Sequence, residues 1–325
     1  MLPAVARLSV RSRALPGVAS RAFATASSAD ASTEHGVKKF GVVGAGQMGI
    51  GIAQVATSVV GLPVVLVDTS AERLEKQIAF MGSVLAKDVA KGRMTEEQRA
   101  AALDRIVPAT SLSALAECDF VVEAVSEDPA IKLELFRQLD GVLAAPAPGA
   151  VGPILASNTS SIPLTRIAGS VSAARATSVI GMHFMNPVPV MELVEVIPAL
   201  QTADEVLLRT EALARAMGKT TARSADAPGF IANRLLMPML NEAIMCLGEG
   251  IATPEDIDTV MRLGMRHPMG PLKLADFIGL DTCLAIMRVL YNEFGDPKFR
   301  PAPLLVRYVE AGWLGKKAGR GFYQY

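Results

Sequence analysis

A Gly-x-Gly-x-x-Gly motif directly after a short apolar run restricts the fold of this chain more than any other feature. The run Lys39–Val43 predicts a buried strand, and Ile50–Val60 has the composition of a helix. Between them, Gly44 permits a tight turn, Gly46 lets the backbone approach a pyrophosphate, and Gly49 lets the helix pack close to the strand. The amides of the helix N-terminus are then free to bind the anion. This pattern predicts a dinucleotide site at the start of a parallel α/β sheet.

The second predicted strand, Val64–Val67, supports this interpretation because it ends in an acidic residue. Asp68 lies at the distance where a carboxylate accepts hydrogen bonds from the adenosine ribose hydroxyls. A carboxylate there repels a 2′-phosphate, so NAD is favoured over NADP as the cofactor. The alternative is a glycine-rich turn that binds no ligand. The complete order of strand, glycines, helix, strand and acid weighs against that alternative.

Two further strands are predicted to end at the same edge of the sheet. Asp119–Val125 is almost entirely apolar, as expected for a buried parallel strand, and Ile154–Ala156 begins another. The latter runs into a hydroxyl-rich turn, Ser157–Ser161. Because ligands bind at the carboxyl ends of parallel strands, these hydroxyls are candidates for ligand contact. Capping of a helix predicted over Leu164–Ala168 is the alternative role for the serines, and the two roles are compatible.

The stretch from Gly181 to Glu195 contains one of the three histidines of the chain. An apolar run that ends at His183 and a second run, Val190–Ile197, flank an Asn-Pro-Val-Pro segment, which predicts strand, turn and strand. If the strands are antiparallel and reverse near Pro189, His183 and Glu195 lie opposite each other. Glu195 would then fix the imidazole tautomer and raise its basicity, which makes His183 a candidate general base. The alternative is a buried histidine, hydrogen-bonded to a strand glutamate, without a chemical role.

The second half of the chain is predicted to be mainly helical. A Pro-Gly pair at residues 228–229 marks the boundary that we expect between a dinucleotide-binding domain, residues 38–226, and a helical domain, residues 227–325. The helical segments are rich in Leu and Met, which is more typical of a plain core than of a binding site. The predicted fold is therefore α/β: a Rossmann-like, mostly parallel sheet with added antiparallel strands, followed by an all-helical C-terminal domain.

Composition argues against several classes of protein. The 32 basic and 32 acidic residues leave no net charge, which argues against binding to nucleic acid. The longest apolar runs are shorter than the roughly 18 residues of a membrane span. The three cysteines, Cys118, Cys246 and Cys283, form no Cys-x-x-Cys pair. We therefore expect neither a disulfide framework nor a metal site, and a reducing compartment.

The first 29 residues have the composition of a mitochondrial transit peptide. They contain Arg7, Arg11, Arg13 and Arg21, several serines and alanines, and no acidic residue before Asp30. We expect residues 1–29 to be cleaved and residues 30–37 to form a linker, which places the mature protein in the mitochondrial matrix. A plastid address and a tail that is simply disordered are the alternatives.

From about Lys39 to Tyr325 the chain resembles the 3-hydroxyacyl-CoA dehydrogenases of fatty-acid β-oxidation, of the short-chain mitochondrial type. Seven blocks in order carry the resemblance: GVVGAGQMGIGIAQVA at Gly41, VVEAVSED at Val121, ASNTSS at Ala156, GMHFMNPVPVMELVEV at Gly181, APGFIANRLLMPMLNEA at Ala227, HPMGPLKLADFIGLD at His267 and GKKAGRGFYQY at Gly315.

The resemblance implies roles for individual residues. His183 matches the base of the family, and Glu195 matches its orienting partner. Ser160 and Asn233 would contact the oxygen end of the substrate, and Asn186 would help to hold the surroundings of the histidine. The positions that match the cofactor side of the site are Gly44, Gly46, Gly49, Asp68, Glu123, Glu127 and Lys132.

A charged region between Ala71 and Leu103, predicted to be helical, carries several basic side chains, among them Lys76, Lys87 and Lys91. Such a run is more often a solvated helix face than a binding site. The resemblance implies that Lys91 contacts a phosphate of CoA, which would make this region an arm of the substrate site.

The sequence therefore predicts an NAD-dependent dehydrogenase that oxidises (S)-3-hydroxyacyl-CoA to 3-oxoacyl-CoA. The resemblance also implies a homodimer formed through the helical domain. Two alternatives stay open: a dehydrogenase of a free 3-hydroxy acid, such as a sugar acid, on the same scaffold, and a non-catalytic NAD-binding protein of the lens-crystallin kind.

Overall fold

The computed structural model describes residues 35–147 and 150–325. The predicted transit peptide and most of the predicted linker lie outside the described residues. Within the described part of the chain, no helix is long and apolar enough to cross a membrane.

Eight strands are found among the described residues: β1 (Phe40–Val43), β2 (Val64–Val67), β3 (Ile106–Ala109), β4 (Phe120–Glu123), β5 (Ile154–Ser157), β6 (Val179–Phe184), β7 (Leu193–Pro198) and β8 (Thr220–Arg223). They form one sheet in the order β3-β2-β1-β4-β5-β6-β7-β8. The six strands β1 to β6 are parallel, β7 is antiparallel to β6, and β8 is parallel to β7. The predicted fold class, a mostly parallel Rossmann-like sheet, is confirmed.

Helices connect the parallel strands and cover both faces of the sheet. The first group is α1 (Gln47–Val55), α2 (Ala71–Ala90), α3 (Glu96–Asp104), α4 (Pro129–Val142), α5 (Leu164–Ala168), α6 (Ala173–Ala176) and α7 (Asp204–Ala216). The second group is α8 (Ala232–Gly248), α9 (Pro254–Thr259), α10 (Pro271–Ile278), α11 (Leu280–Phe294) and α12 (Pro303–Glu310). Helix α1 continues into a π-helical turn over Ala56–Val60, and α9 into another over Val260–Gly264.

Two apolar cores lie on opposite faces of the sheet because successive strand side chains point in opposite directions. In β1, Val42 packs into the core beneath α1, α2 and α7, whereas Val43 packs into the core beneath α4 and α5. Val42 is completely buried, and burial of such a side chain contributes about 1.5–3 kcal/mol. This two-sided burial explains why the strands are nearly continuous apolar runs.

The strands β6 and β7 form the predicted antiparallel hairpin, and His183 pairs in register with Glu195 as expected. The predicted start of the second strand, at Val190, is wrong, because β7 begins three residues later. In the connection, the amides of Val190 and Met191 both donate to the carbonyl of Pro187, which forms a turn instead of a ladder.

The C-terminal helices enclose a third apolar core, and two buried carboxylates attach the end of the chain to them. Asp276 accepts from the amides of Phe322 and Tyr323, both at 2.9 Å. Asp258 accepts from the Tyr323 hydroxyl at 2.8 Å. The basic, glycine-rich tail is therefore folded back onto the helices.

The predicted domain boundary at residues 226/227 lies in the connection between β8 and α8. The described residues all belong to one compact unit, so the division into two domains stays a prediction. Asp226 bonds this connection to α5, because its carboxylate accepts from the amides of Leu164 at 2.8 Å and Thr165 at 2.7 Å. These amides open α5 and have no partner within the helix.

Replacing Asp226 by Ala should remove this cap and lower the free energy of unfolding by about 1–2 kcal/mol. Urea unfolding followed by circular dichroism measures the change. Asp226→Asn, which keeps one acceptor oxygen, should lose less. Equal stability of the wild type and the Ala variant would show that the cap does not hold α5.

Candidate active site

The glycines of the dinucleotide turn have different neighbours. Gly44 has a φ of +100°, and a Cβ there would lie 2.6 Å from the carbonyl oxygen of Ala124. A Cβ on Gly49 would lie 1.7 Å from the carbonyl oxygen of Gly44. At Gly46, by contrast, no atom of the described residues lies within 4 Å of the Cβ position. Gly44 and Gly49 are required by the turn itself. Gly46 borders open space that a ligand can occupy.

The start of α1 has the properties of an anion site. Gly46 is its N-cap and offers no side chain to cap it, so the first amides are available to a pyrophosphate. Beside the turn, Asp68 accepts from the amides of Ala45 at 2.9 Å and Ser70 at 3.0 Å and is 7% exposed. These residues fit NAD, since the open space at Gly46 adjoins free amides and a fixed carboxylate. The contact of Asp68 with a ribose stays a prediction.

A buried network lies behind the end of β4. Glu123 accepts from Lys132 Nζ at 2.5 Å, Ser157 Oγ at 2.6 Å and the Val125 amide at 2.7 Å. Glu123 is 0% and Lys132 1% exposed, and charges at such depth are costly unless they are paired. Here the hydrogen bonds of Glu123 connect the end of β4 to the end of β5 and to α4. Their predicted cofactor contacts stay predictions.

Glu127 organises the hydroxyl-rich turn after β5. Its Oε1 accepts from Thr159 Oγ1 at 2.6 Å, the Ser160 amide at 2.8 Å and the Ser161 amide at 3.1 Å. Its Oε2 lies 3.2 Å from Lys132 Nζ. Burial raises the pKa of Glu127, but the charge of Lys132 and the hydrogen bonds from Thr159 and Ser160 outweigh burial, so the pKa lies below its usual value. Glu127 is therefore held as a carboxylate that fixes the backbone around Ser160.

The imidazole of His183 is buried and bonded to Glu195. His183 Nδ1 lies 2.8 Å from Glu195 Oε2. Because the carboxylate only accepts, Nδ1 carries the proton in the neutral ring and Nε2 keeps its lone pair. The ring also packs on Phe230, with 5.8 Å between the ring centroids. His183 is thus fixed in the tautomer that can accept a proton at Nε2.

The second oxygen of Glu195 binds the start of α8. Its Oε1 accepts from the amides of Ile231 at 2.9 Å and Ala232 at 3.0 Å. Burial raises the pKa of Glu195, but the hydrogen bonds with His183 and these amides prevail and place the pKa below its usual value. One carboxylate therefore joins the hairpin to the helical half of the chain.

Asn233 and Ser160 meet at the same place. Asn233 lies in the first turn of α8, is 8% exposed and directs Nδ2 to the carbonyl oxygen of Ser160 at 3.4 Å. The Ser160 hydroxyl lies 3.1 Å from Glu127 Oε1. The structure thus brings together the turn after β5 and the start of α8, which are 73 positions apart in the sequence.

Asn186 does not contact His183 through any hydrogen bond of the described residues. It is exposed, and its Oδ1 accepts from Gln47 Nε2 at 3.1 Å. Its predicted role beside the histidine stays a prediction. Glu192, in the same connection, is also exposed. Lys91 is exposed at the end of α2, and no ligand contact is assigned to it by the geometry.

Sequence reasoning missed two residues that shape the site. Asn158 Oδ1 accepts from the Phe184 amide at 2.8 Å and so ties the turn after β5 to the strand that carries His183. Phe230, with a φ of +49°, supplies the ring that packs on the histidine. Asn158 stood in a block already singled out, but only the register of β6 shows which amide it reaches.

Taken together, a dinucleotide turn and a buried imidazole whose Nε2 keeps its lone pair indicate the class of protein. Both belong to an open parallel sheet, in which ligands bind at the carboxyl ends of the strands. A cofactor that accepts hydride and a base that accepts a proton are the two parts of an alcohol dehydrogenation. The fold and the site are those of an NAD-dependent oxidoreductase.

Comparison with known proteins gives the family. Residues 39–227 match the sequence profile of the 3-hydroxyacyl-CoA dehydrogenase NAD binding domain, and residues 229–325 match that of the 3-hydroxyacyl-CoA dehydrogenase C-terminal domain. The chain belongs to the 3-hydroxyacyl-CoA dehydrogenase family.

Individual relatives are similar over nearly their whole length. A probable 3-hydroxybutyryl-CoA dehydrogenase of Bacillus subtilis is 52% identical over 289 residues, which is 89% of this chain and 98% of the relative. The hydroxyacyl-coenzyme A dehydrogenase, mitochondrial, of Homo sapiens is 40% identical over 314 residues, covering 94% of this chain and 97% of that protein. The crystal structure of (S)-3-hydroxybutyryl-CoA dehydrogenase from Ralstonia eutropha has a TM-score of 0.84 at 49% identity, covering 89% of this chain and 99% of that one.

The lowered pKa of Glu195 predicts a pH-dependent contribution to stability. A carboxyl whose pKa falls below its ordinary 4.5 on folding stabilises the folded state above that pH. The contribution is lost as the pH falls through the lower, folded-state pKa. Glutamine does not titrate, so the stability of the wild type relative to Glu195→Gln should decrease on acidification below 4.5.

Urea unfolding of both proteins at a series of pH values from neutral to acid measures this difference. Glu249→Gln, at an exposed glutamate, is the matched control for the loss of an acidic side chain. A difference between wild type and Glu195→Gln that stays constant with pH would contradict the pairing.

Proposed function

We propose that the protein oxidises the 3-hydroxyl group of (S)-3-hydroxyacyl-CoA to 3-oxoacyl-CoA in fatty-acid β-oxidation, with His183 as the general base. The observation that carries this proposal is the buried pair of His183 Nδ1 and Glu195 Oε2, 2.8 Å apart, in a chain that also has the dinucleotide turn of its family. The assignment of S stereochemistry rests on family membership and on the relative from Ralstonia eutropha.

The proton of the substrate hydroxyl passes to Nε2 of His183. Glu195 keeps Nδ1 protonated, so that Nε2 is the basic atom, and its negative charge stabilises the imidazolium that forms. The amides of Ile231 and Ala232 hold the other carboxylate oxygen. Glu195 therefore cannot rotate away from the ring without losing two hydrogen bonds.

The substrate oxygen needs a donor as its charge grows. Asn233 Nδ2 has two protons, of which one is directed to the Ser160 carbonyl, so the other remains for the substrate. The Ser160 hydroxyl, held beside Glu127, provides a second group when it rotates toward the oxygen. NAD, when bound, supplies the acceptor for the hydride that leaves C3. Closure of residues 227–325 over the sheet would exclude water from this step.

We assign the CoA moiety to the arm formed by α2 and α3. Lys76, Lys87 and Lys91 of this arm are exposed, and ammonium groups suit the phosphates of CoA. Under this assignment the acyl end reaches Ser160 and Asn233 while the nucleotide end lies on the arm.

Replacing His183 by Gln should lower kcat by about 10²- to 10⁴-fold, the usual loss for a general base. The Kd for NADH should change little, because the side-chain hydrogen bond and the ring contact found for His183 among the described residues go to Glu195 and Phe230, outside the dinucleotide turn. NADH consumption with acetoacetyl-CoA measures the rate, and quenching of NADH fluorescence measures binding. His267→Gln, which alters a histidine outside the site, is the control.

The same assay separates the proposed substrate from the alternatives. Oxidation of NADH with acetoacetyl-CoA but not with free acetoacetate supports the CoA thioester. Equal rates with the free acid would favour the dehydrogenase of a free hydroxy acid. NADH binding without turnover of either compound would indicate a non-catalytic protein, and a His183→Gln variant with wild-type rate would reject the base.

We also propose a homodimer formed through the helical half. The large apolar side chains exposed on α8, on the turn after α9 and on α10 are Leu235, Val260, Leu263, Met265 and Phe277. Helices α8, α9 and α10 pack against one another, and the turn continues α9. Side chains of this size are rarely left exposed together on a monomer.

Placing a charge in this apolar surface should break the dimer. Light scattering after size exclusion should give a dimer for the wild type and a monomer for Leu263→Glu, because an unpaired carboxylate is costly to bury. Leu200→Glu is the matched control, since Leu200 is 84% exposed and belongs to the β7–α7 connection. A Leu263→Glu protein that is still a dimer would show that Leu263 is not part of the interface and would contradict this proposal.

For location, we propose the mitochondrial matrix. The proposal rests on the composition of residues 1–29 and on the similarity to the Homo sapiens protein whose name includes mitochondrial. The relatives from bacteria at 52% identity show that the family itself is not confined to organelles.

A further inference from the structure

Lys219 is a buried ammonium group that the mechanism does not use. It follows α7 and begins the approach to β8, and it is 7% exposed. Its Nζ donates to the carbonyl oxygens of Val188 at 2.6 Å and Met191 at 2.9 Å. Both acceptors belong to residues 185–192, the connection between β6 and β7, which we call the proline loop.

A buried ammonium is expensive, so its presence at this position requires a reason. Burial lowers the pKa of Lys219, and the nearby charge of Glu192 only partly opposes this effect. A methionine would fill a similar volume without the loss of hydration. What methionine lacks is a set of donors, and both hydrogen bonds of Lys219 go to backbone carbonyls. The hydrogen bonds of Lys219 therefore act on the backbone conformation of the loop.

The proline loop is poor in donors of its own. Pro187 and Pro189 have no N–H, and the amides of Val190 and Met191 both donate to the same carbonyl, that of Pro187. The carbonyls of Val188 and Met191 consequently obtain their donors from Lys219, outside the loop.

The opposite side of the loop rests on the dinucleotide helix α1. Val188 is 2% exposed and packs so closely on Gly51 that a Cβ there would lie 2.9 Å from Val188 Cβ. Asn186, at the start of the loop, accepts from Gln47, the first residue of α1. The loop is therefore held between Lys219 on one side and α1 on the other.

We propose that Lys219 is a positioning residue. Its hydrogen bonds hold the proline loop against α1 and so fix the end of β6, which carries His183, relative to the bound cofactor. His183 is the penultimate residue of β6, and the proline loop begins after Phe184. Helix α1 begins at the turn assigned to the pyrophosphate. Lys219 touches neither ligand and acts through the loop. This inference rests on the proposed function, since the distance it controls is that between base and hydride acceptor.

Lys219→Met is the first test, because it keeps the aliphatic stem and removes the donors. Hydrogen exchange of residues 186–192 should become faster in the free protein. The Kd and KM for NADH should rise, and kcat with acetoacetyl-CoA should fall, each about tenfold, since small misplacements of reacting groups are costly. The KM for acetoacetyl-CoA should stay within about twofold, because neither Asn233 nor the lysines of the arm belong to the proline loop. Lys38→Met, at an exposed lysine, is the control.

Gly51→Ala tests the same loop from the other side and does not depend on whether Lys219→Met folds. The added methyl group meets Val188 and should lift the loop, whereas alanine by itself favours the helix. The variant should therefore show the same faster exchange and the same weakening of NADH binding. Gly141→Ala in α4, where no described atom lies within 4 Å of the new Cβ, is the matched control and should behave as wild type.

The outcomes separate this inference from the proposed function. Wild-type exchange and kinetics in both variants would overturn the role of Lys219. A uniform loss of stability, with exchange raised throughout the chain and both KM values unchanged, would reduce Lys219 to a structural residue and also overturn it. If the wild type does not reduce acetoacetyl-CoA, the proposed function fails, while loop exchange and NADH Kd still decide whether Lys219 positions the loop.

Discussion

The two-sided hydrogen bonding of Glu195 is the interaction on which the rest of the site depends. One oxygen sets the tautomer of His183, and the other accepts two amides at the start of α8. Because the carboxylate is buried and its pKa is lowered by these partners, it stays ionised while it serves both. The orientation of the His183 imidazole and the attachment of the start of α8 thus both depend on a single side chain.

Charged side chains have similar roles elsewhere around the site. Glu127 accepts hydrogen bonds from the amides of Ser160 and Ser161, and the buried Lys132 contacts both Glu123 and Glu127. Glu123 and Lys132 are costly to bury, and their mutual ion pair together with the hydrogen bonds that Glu123 accepts from Ser157 and Val125 offsets that cost. The turn around Ser160 is therefore held by several hydrogen bonds, and fixed positions of this kind are what the proposed reaction requires of its reacting groups.

The sequence predicted most of the fold and the identity of the hairpin pair, because both follow from short-range patterns. Apolar runs between glycines predict parallel strands, and a reversal near Pro189 places His183 opposite Glu195. The approach of Asn233 to the Ser160 carbonyl and the docking of Val188 on Gly51 were not predictable, since they depend on how distant segments pack. The strand start at Val190 was missed because turn formation by two prolines overrides the apolar pattern. The roles of the residues in the site stay predictions.

The separation of partners along the chain also implies an order of assembly during folding. His183 and Glu195 are 12 residues apart, whereas Asn233 and Ser160 are 73 apart. Loop closure over the longer span costs about 1.6 kcal/mol more entropy by the logarithmic rule. The local hairpin can therefore form its pair early, and the contact between α8 and the serine turn comes later. The imidazole of His183 can thus be oriented while the chain is still incomplete, and the proposed site is complete only when α8 has packed against the serine turn.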